Sequence, residues 1–106
     1  MWGLINKFGQ SVKDVLRDDL GIFALVTDSG VFVARQYIWG NIVSAHKRAV
    51  VSAFNQKKPL IMFIYTQEKF YSFDPDELLK LGYENKKGRA KFINFNIKLG
   101  KRYEVM

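Results

Sequence analysis

Hydrophobic and polar residues follow two different periods along this chain, and these periods predict its elements. Over residues 5–20, apolar side chains recur every three to four positions, which predicts an amphipathic helix that ends at Gly21. A short apolar run over residues 22–27 and an alternating segment over residues 31–39 flank a turn of Asp, Ser and Gly at residues 28–30. Two strands around such a short turn predict a hairpin.

The second half of the chain carries stronger local signals. Pro59 stops a predicted second helix, because proline disfavours helical backbone in the residue before it. Asp74 followed by Pro75 predicts a capped helix start, since aspartate accepts from the first backbone N–H groups and proline fits the first turn. The predicted elements are a helix over residues 41–58, strands over 60–65 and 69–73, a short helix over 75–81, a polar loop over 83–90 and a strand over 91–99.

The order of these elements predicts the fold class. A chain of 106 residues that is 48% hydrophobic has enough apolar mass for one core. No linker or internal repeat divides it, so the sequence predicts a single domain over residues 1–106. The predicted class is α+β, with the order α-β-β-α-β-β-(short α)-β and helices packed on a mixed sheet.

Cysteine is absent from the sequence, which excludes disulfides, zinc sites built on cysteine and thiol catalysis. No apolar run reaches the roughly 20 residues of a membrane span, and charged residues interrupt the N-terminal segment. We therefore expect an intracellular, cytoplasmic protein with no membrane partner and no cofactor.

Positive charge is concentrated at the C-terminal end. The net charge is +7, and residues 86–106 hold seven basic side chains against Glu104 alone. Such asymmetry indicates a polyanionic partner, so we expect a small, non-catalytic domain that binds nucleic acid through its phosphate backbone. The predicted contacts are Lys86, Lys87, Arg89, Lys98, Lys101 and Arg102, with Lys47, Arg48 and Arg35 as additional ones.

The element order over residues 31–73 resembles the core of the restriction-endonuclease-like superfamily, which includes archaeal Holliday-junction resolvases. The resemblance implies a helix packed on the sheet and metal-binding carboxylates on the hairpin strands. Where the family has Glu-x-Lys or a close variant, this chain has Val33-Ala34-Arg35, and no acidic residue occurs over residues 29–67. The resemblance therefore implies a degenerate scaffold without the family's metal site.

Two alternatives to nucleic-acid binding remain open at this stage. One is a metal-dependent nuclease, which requires Asp28, Glu68 and Asp74 to converge on a divalent ion. The residues themselves favour other roles, with Asp28 in a turn and Asp74 in a helix cap. The other alternative is a protein-interaction module or homodimer, which an exposed edge strand and the 15% aromatic content favour. His46, the only histidine, is expected to be a packed or rim residue rather than a general base.

Overall fold

The structure of the chain is a computed structural model that describes residues 11–36 and 38–104. Strands dominate this part of the chain, and two short helices accompany them. The strands are β1 (Asp14–Asp18), β2 (Gly21–Val26), β3 (Val31–Arg35), β4 (Ile42–His46), β5 (Leu60–Ile64), β6 (Lys69–Phe73), β7 (Tyr83–Lys87), β8 (Ala90–Asn96) and β9 (Lys101–Tyr103). The helices are α1 (Lys47–Asn55) and α2 (Pro75–Leu81), and a single 3-10 turn spans Ile97–Leu99.

The strands form two sheets. Six of them form a mixed sheet in the order β1-β2-β3-β5-β6-β9, and three form an antiparallel sheet in the order β4-β8-β7. Among the neighbouring strands of the larger sheet, only the pair β3 and β5 is parallel, and the chain between them makes β4 and α1. Two parallel neighbours need such a long connection, because a tight turn joins only antiparallel strands. The predicted α+β class is confirmed.

Strand β5 lies in the middle of the larger sheet, and both of its faces are covered. Leu60, Met62 and Ile64 pack into one hydrophobic cluster, which also holds the buried residues of both helices and of the smaller sheet. Ile61 and Phe63 point to the opposite face, into a second cluster with β2, β3 and β6. Alternate residues of a strand face opposite sides, so a strand buried on both sides has a continuous apolar sequence.

Local capping chemistry sets the starts of both helices. The Asp74 carboxylate accepts from the backbone N–H of Asp76 at 3.0 Å, and Pro75 occupies the first turn of α2 as the sequence predicts. Helix α1 starts at Lys47 rather than at Asn41, and the side chain of His46 caps it. Within residues 11–36 and 38–104, no helix is long and apolar enough to span a bilayer.

The predicted first helix is wrong over the residues that the structure describes. Residues 14–18 form β1, and residues 1–10 lie outside the described part. Val15 packs into one cluster and Leu16 into the other, which is the alternation of a strand. Pairing with β2 satisfies the backbone hydrogen-bonding groups of β1. This pairing stabilises the strand more than the helical spacing of the apolar residues would stabilise a helix.

Two more strands replace predicted helix and loop. Val43 and Ala45 are buried and alternate with less buried neighbours, so residues 42–46 form β4 against β8. The polar residues 83–87, predicted as a loop, form β7 on the other side of β8. The observed order of elements therefore differs from the predicted one, because β4 pairs with a strand far along the chain and β7 is a polar strand that only its hairpin pairing with β8 identifies.

Candidate functional site

A groove of about 980 Å³ lies between α1, along most of its length, the turn that joins β1 to β2, and the hairpin of β7 and β8. Its exposed lining is mainly apolar, and Leu16, Leu20 and Val51 contribute aliphatic side chains to it. The hydrogen bond from the backbone N–H of Leu20 to the Asp18 carboxylate, at 2.8 Å, holds the β1–β2 turn in shape. Leu20 itself is 95% exposed.

Four basic side chains line this groove from two elements that are far apart in the sequence. Lys47 and Arg48 come from the first turn of α1, and Arg89 and Lys91 come from the β7–β8 hairpin. The groove therefore carries a surplus of positive charge over its two carboxylates, which are those of Asp18 at the end of β1 and Asp19 in the turn that follows. Such a lining attracts anionic ligands.

Ion pairs connect the basic residues of the groove to their surroundings. Lys47 pairs with Glu84 of β7, and this contact lowers the pKa of the Glu84 carboxyl. Arg89 lies 3.7 Å from the Asp19 carboxylate across the groove, and both side chains are more than four-fifths exposed. Ion pairs this exposed contribute little to stability, so a stronger anion competes for Arg89 at small cost.

The β7–β8 hairpin presents its basic residues at a tight turn. Gly88 has φ 61° at the first central position, and the second central residue has negative φ, which is the signature of a type II′ turn. Lys86 lies directly opposite Lys91 in the register of the two strands. Like charges in this position repel each other, so the hairpin carries a local cost that a bound anion would remove.

His46 joins the groove to the body of the protein. Its Nδ1 accepts from the backbone N–H of Arg48 at 3.2 Å, so the ring proton is on Nε2, which donates to the Asp18 carboxylate at 3.2 Å. The ring stacks on Phe23 with centroids 3.9 Å apart. Burial lowers the pKa of His46 although Asp18 acts in the opposite direction. Both ring nitrogens are engaged, so His46 is the packed residue that the sequence predicts.

Arg35 has an internal role rather than a place on a binding surface. It ends β3, donates from Nε to the backbone oxygen of Ser44 at 2.6 Å, and lies over the ring of Phe92. Burial lowers the pKa of its guanidinium. The contact connects the two sheets, since β3 belongs to the larger and β4 to the smaller. Trp39, on the same predicted strand, lies beyond the end of β3 and is 77% exposed.

The remaining predicted contacts do not line this groove. Lys101 lines a second groove beside the C-terminal end of α1, together with the acidic residues around the start of α2. Arg102, on β9 at the edge of the larger sheet, pairs with Glu104 at 3.3 Å. Lys98 is exposed in the 3-10 turn. The structure therefore brings together Lys47, Arg48, Arg89 and the strand position of Lys86, but not the C-terminal cations.

The three carboxylates of the nuclease alternative do not share a site. Asp28 lies in the β2–β3 turn, 3.8 Å from Lys13, and Asp74 follows β6 at the same end of the sheet. Glu68 precedes β6 at the other end, a strand length of about 15 Å away. Across residues 11–36 and 38–104, no group of three or more histidine and carboxylate side chains is arranged to hold a metal ion.

Several groove residues were missed at the sequence level. Lys91 has the same strand parity as Ile93 and Phe95, so the alternation of β8 already indicates that it lies on their face. Asp19 and Leu20 gave no such signal, because they stand in a segment that had the spacing of a helix.

Comparisons with known proteins add no relative. A scan against protein-family models, a search of curated proteins and a search of solved structures each find no match to this chain.

Proposed function

We propose that this domain binds nucleic acid without catalysis, through the groove between α1 and the β7–β8 hairpin. The observation that carries the proposal is the convergence of cations from positions 47–48 and 89–91 on one groove. Phosphate groups spaced along a strand meet both walls of such a groove. The binding is mainly electrostatic, so it has little sequence preference.

The hairpin tip is the second support for this proposal. Lys86 and Lys91 face each other across the strands, and Arg89 stands in the turn between them. Arg89 is 95% exposed, so a phosphate reaches its guanidinium without displacing any buried group. Arginine binds phosphate with two parallel N–H donors, so each arginine of the groove should bind phosphate more strongly than each lysine does. We expect a duplex or a single strand to lie along the hairpin with its backbone toward α1.

A binding titration at two salt concentrations tests the proposal. With about four phosphate contacts, affinity for a duplex should fall roughly 100-fold between 50 and 200 mM salt, since about 0.9 counterion is released per contact. The double variant Arg89→Ala/Lys91→Ala should bind about tenfold more weakly or worse, with a salt slope smaller by about 2. Failure of the wild-type domain to bind single- and double-stranded DNA and RNA at low salt would eliminate nucleic-acid binding.

A matched control separates the groove from net charge. The double variant Lys98→Ala/Arg102→Ala removes the same two charges from positions that do not line the groove. We expect it to keep affinity within about twofold at moderate salt, where distant charges are screened. Equal losses in the two double variants would mean that the groove has no special part in binding.

Self-association is a second candidate, and β7 favours it. In the part of the chain that the structure describes, β7 is an edge of the smaller sheet; its first residue, Tyr83, is 58% exposed, and Leu81 just before it is 65% exposed. Antiparallel pairing of two copies around Asn85 would place Glu84 of each opposite Lys86 of the other. Sedimentation equilibrium tests this candidate, and a strictly monomeric protein at high concentration would remove it.

A further inference from the structure

We infer that the groove selects single-stranded over double-stranded nucleic acid, because its lining contacts the faces of unstacked bases. This inference rests on the proposed function and specifies its ligand. The groove combines basic side chains with an apolar lining. A site that only neutralised phosphates would need charged walls and no apolar lining, yet the exposed lining here is mainly apolar.

Aliphatic and basic side chains share the lining of the groove. Leu16 belongs to β1, Leu20 to the β1–β2 turn and Val51 to α1, and the basic residues come from α1 and the hairpin. A nucleotide has the same arrangement, with a flat base of low polarity attached to a charged phosphate. Contact between base faces and Leu20 would remove its exposed apolar surface from water, which favours binding.

Base faces are available only in a single strand. In a duplex each base stacks on its neighbours, so only base edges and phosphates are open to a protein. A groove of about 980 Å³ accommodates more than one nucleotide. Proteins that bind single strands combine a basic groove with side chains, usually aromatic, that contact base faces, and here aliphatic side chains supply that apolar surface. Charge complementarity and the apolar lining therefore point to the same occupant, an unpaired strand.

Asp19 allows a test of where the nucleic-acid strand lies in the groove. It stands beside Leu20 and pairs with Arg89 across the groove. A phosphate that reaches Arg89 has to compete with this carboxylate and meets its negative charge. Removing that charge should therefore tighten binding, whereas most substitutions in a binding site weaken it.

The test compares oligo-dT and oligo-U of about 15 nucleotides with a duplex of equal length, at the same salt concentration. We expect the single strands to bind at least tenfold more tightly than the duplex. Leu20→Ser should weaken single-strand binding about five- to tenfold and change duplex binding by less than twofold. Asp19→Asn should tighten single-strand binding about threefold. Ile22→Ser is the matched control, since Ile22 is also an exposed aliphatic residue and does not line the groove, and it should change neither affinity.

The outcomes separate this inference from the proposed function. Equal or tighter duplex binding, or no effect of Leu20→Ser on single strands, overturns the selectivity and leaves nucleic-acid binding in place. Competition by polyglutamate as strong as that by oligo-dT also overturns it, because the groove would then recognise charge alone. If neither single strands nor duplex bind, both proposals fall.

Discussion

His46→Phe is the substitution that best tests how the groove is held to the fold. The phenylalanine ring keeps the stack on Phe23, but it removes the N-cap acceptor of α1 and the hydrogen bond to Asp18. Loss of the cap costs about 1 kcal/mol. The Asp18 carboxylate, 23% exposed, loses a partner, which adds roughly 1 kcal/mol. The more apolar ring offsets part of this, so we expect a net loss of about 1–2 kcal/mol in the free energy of unfolding.

The change in stability with pH gives a second, independent test of the same variant. Burial lowers the pKa of His46 in the folded protein, and nearby Arg48 and Arg35 act in the same direction, whereas Asp18 opposes them. The unfolded chain therefore takes up a proton more readily than the folded protein does. The stabilisation by neutral His46 is complete above the unfolded pKa of about 6.5 and is lost as the pH falls toward the lower folded value. Phenylalanine does not titrate, so the free energies of unfolding of the wild type and the variant should converge as the pH falls.

Urea unfolding at about pH 8 and about pH 5.5 measures both effects. His46 is the only histidine in the sequence, so its ring signals in an NMR titration of untagged protein are unambiguous. His46→Asn and His46→Ala are the paired controls: both remove the ring, but only asparagine is a good N-cap, so the Asn variant should be the more stable of the two by about 1 kcal/mol. A difference in the free energy of unfolding between wild type and His46→Phe that widens as the pH falls would refute the reasoning. It would mean that Asp18 keeps His46 charged.

Three further substitutions test other parts of the structure. Lys86→Glu replaces a like-charge pair with Lys91 by an opposite-charge pair, so it should raise the free energy of unfolding by a few tenths of a kcal/mol. The same substitution should weaken oligonucleotide binding several-fold. A loss of stability would contradict the observed register of β7 and β8. Gly82→Ala places a Cβ about 2.6 Å from the backbone oxygen of Leu78, so thermal unfolding should report a loss of about 1–3 kcal/mol, and an unchanged melting temperature would refute this close approach. Asp74→Ala should cost about 1 kcal/mol in chemical denaturation and Asp74→Asn far less, and equal losses would rule out the cap.

Local signals in the sequence were sufficient where one element carries its own evidence. The start of α2 was predicted from Asp74 and Pro75, because a cap and the first turn involve only neighbouring residues. Strands β5 and β6 were predicted from a continuous apolar run and a nearby partner. The α+β class and the excess of positive charge followed from the same kind of reading. Each of these properties depends on residues that are close together in the chain.

Only the tertiary structure decided which ambiguous segments became strands and which cations met. Residues 42–46 satisfy helical spacing through Ile42 and Ala45 and strand alternation through Val43 and Ala45, and pairing with β8 selected the strand. The groove has the same origin, because Arg48 and Arg89 meet only after β8 has paired with both β4 and β7. Backbone hydrogen bonds between strands distant in sequence are formed by the folded chain as a whole, and no local pattern encodes them.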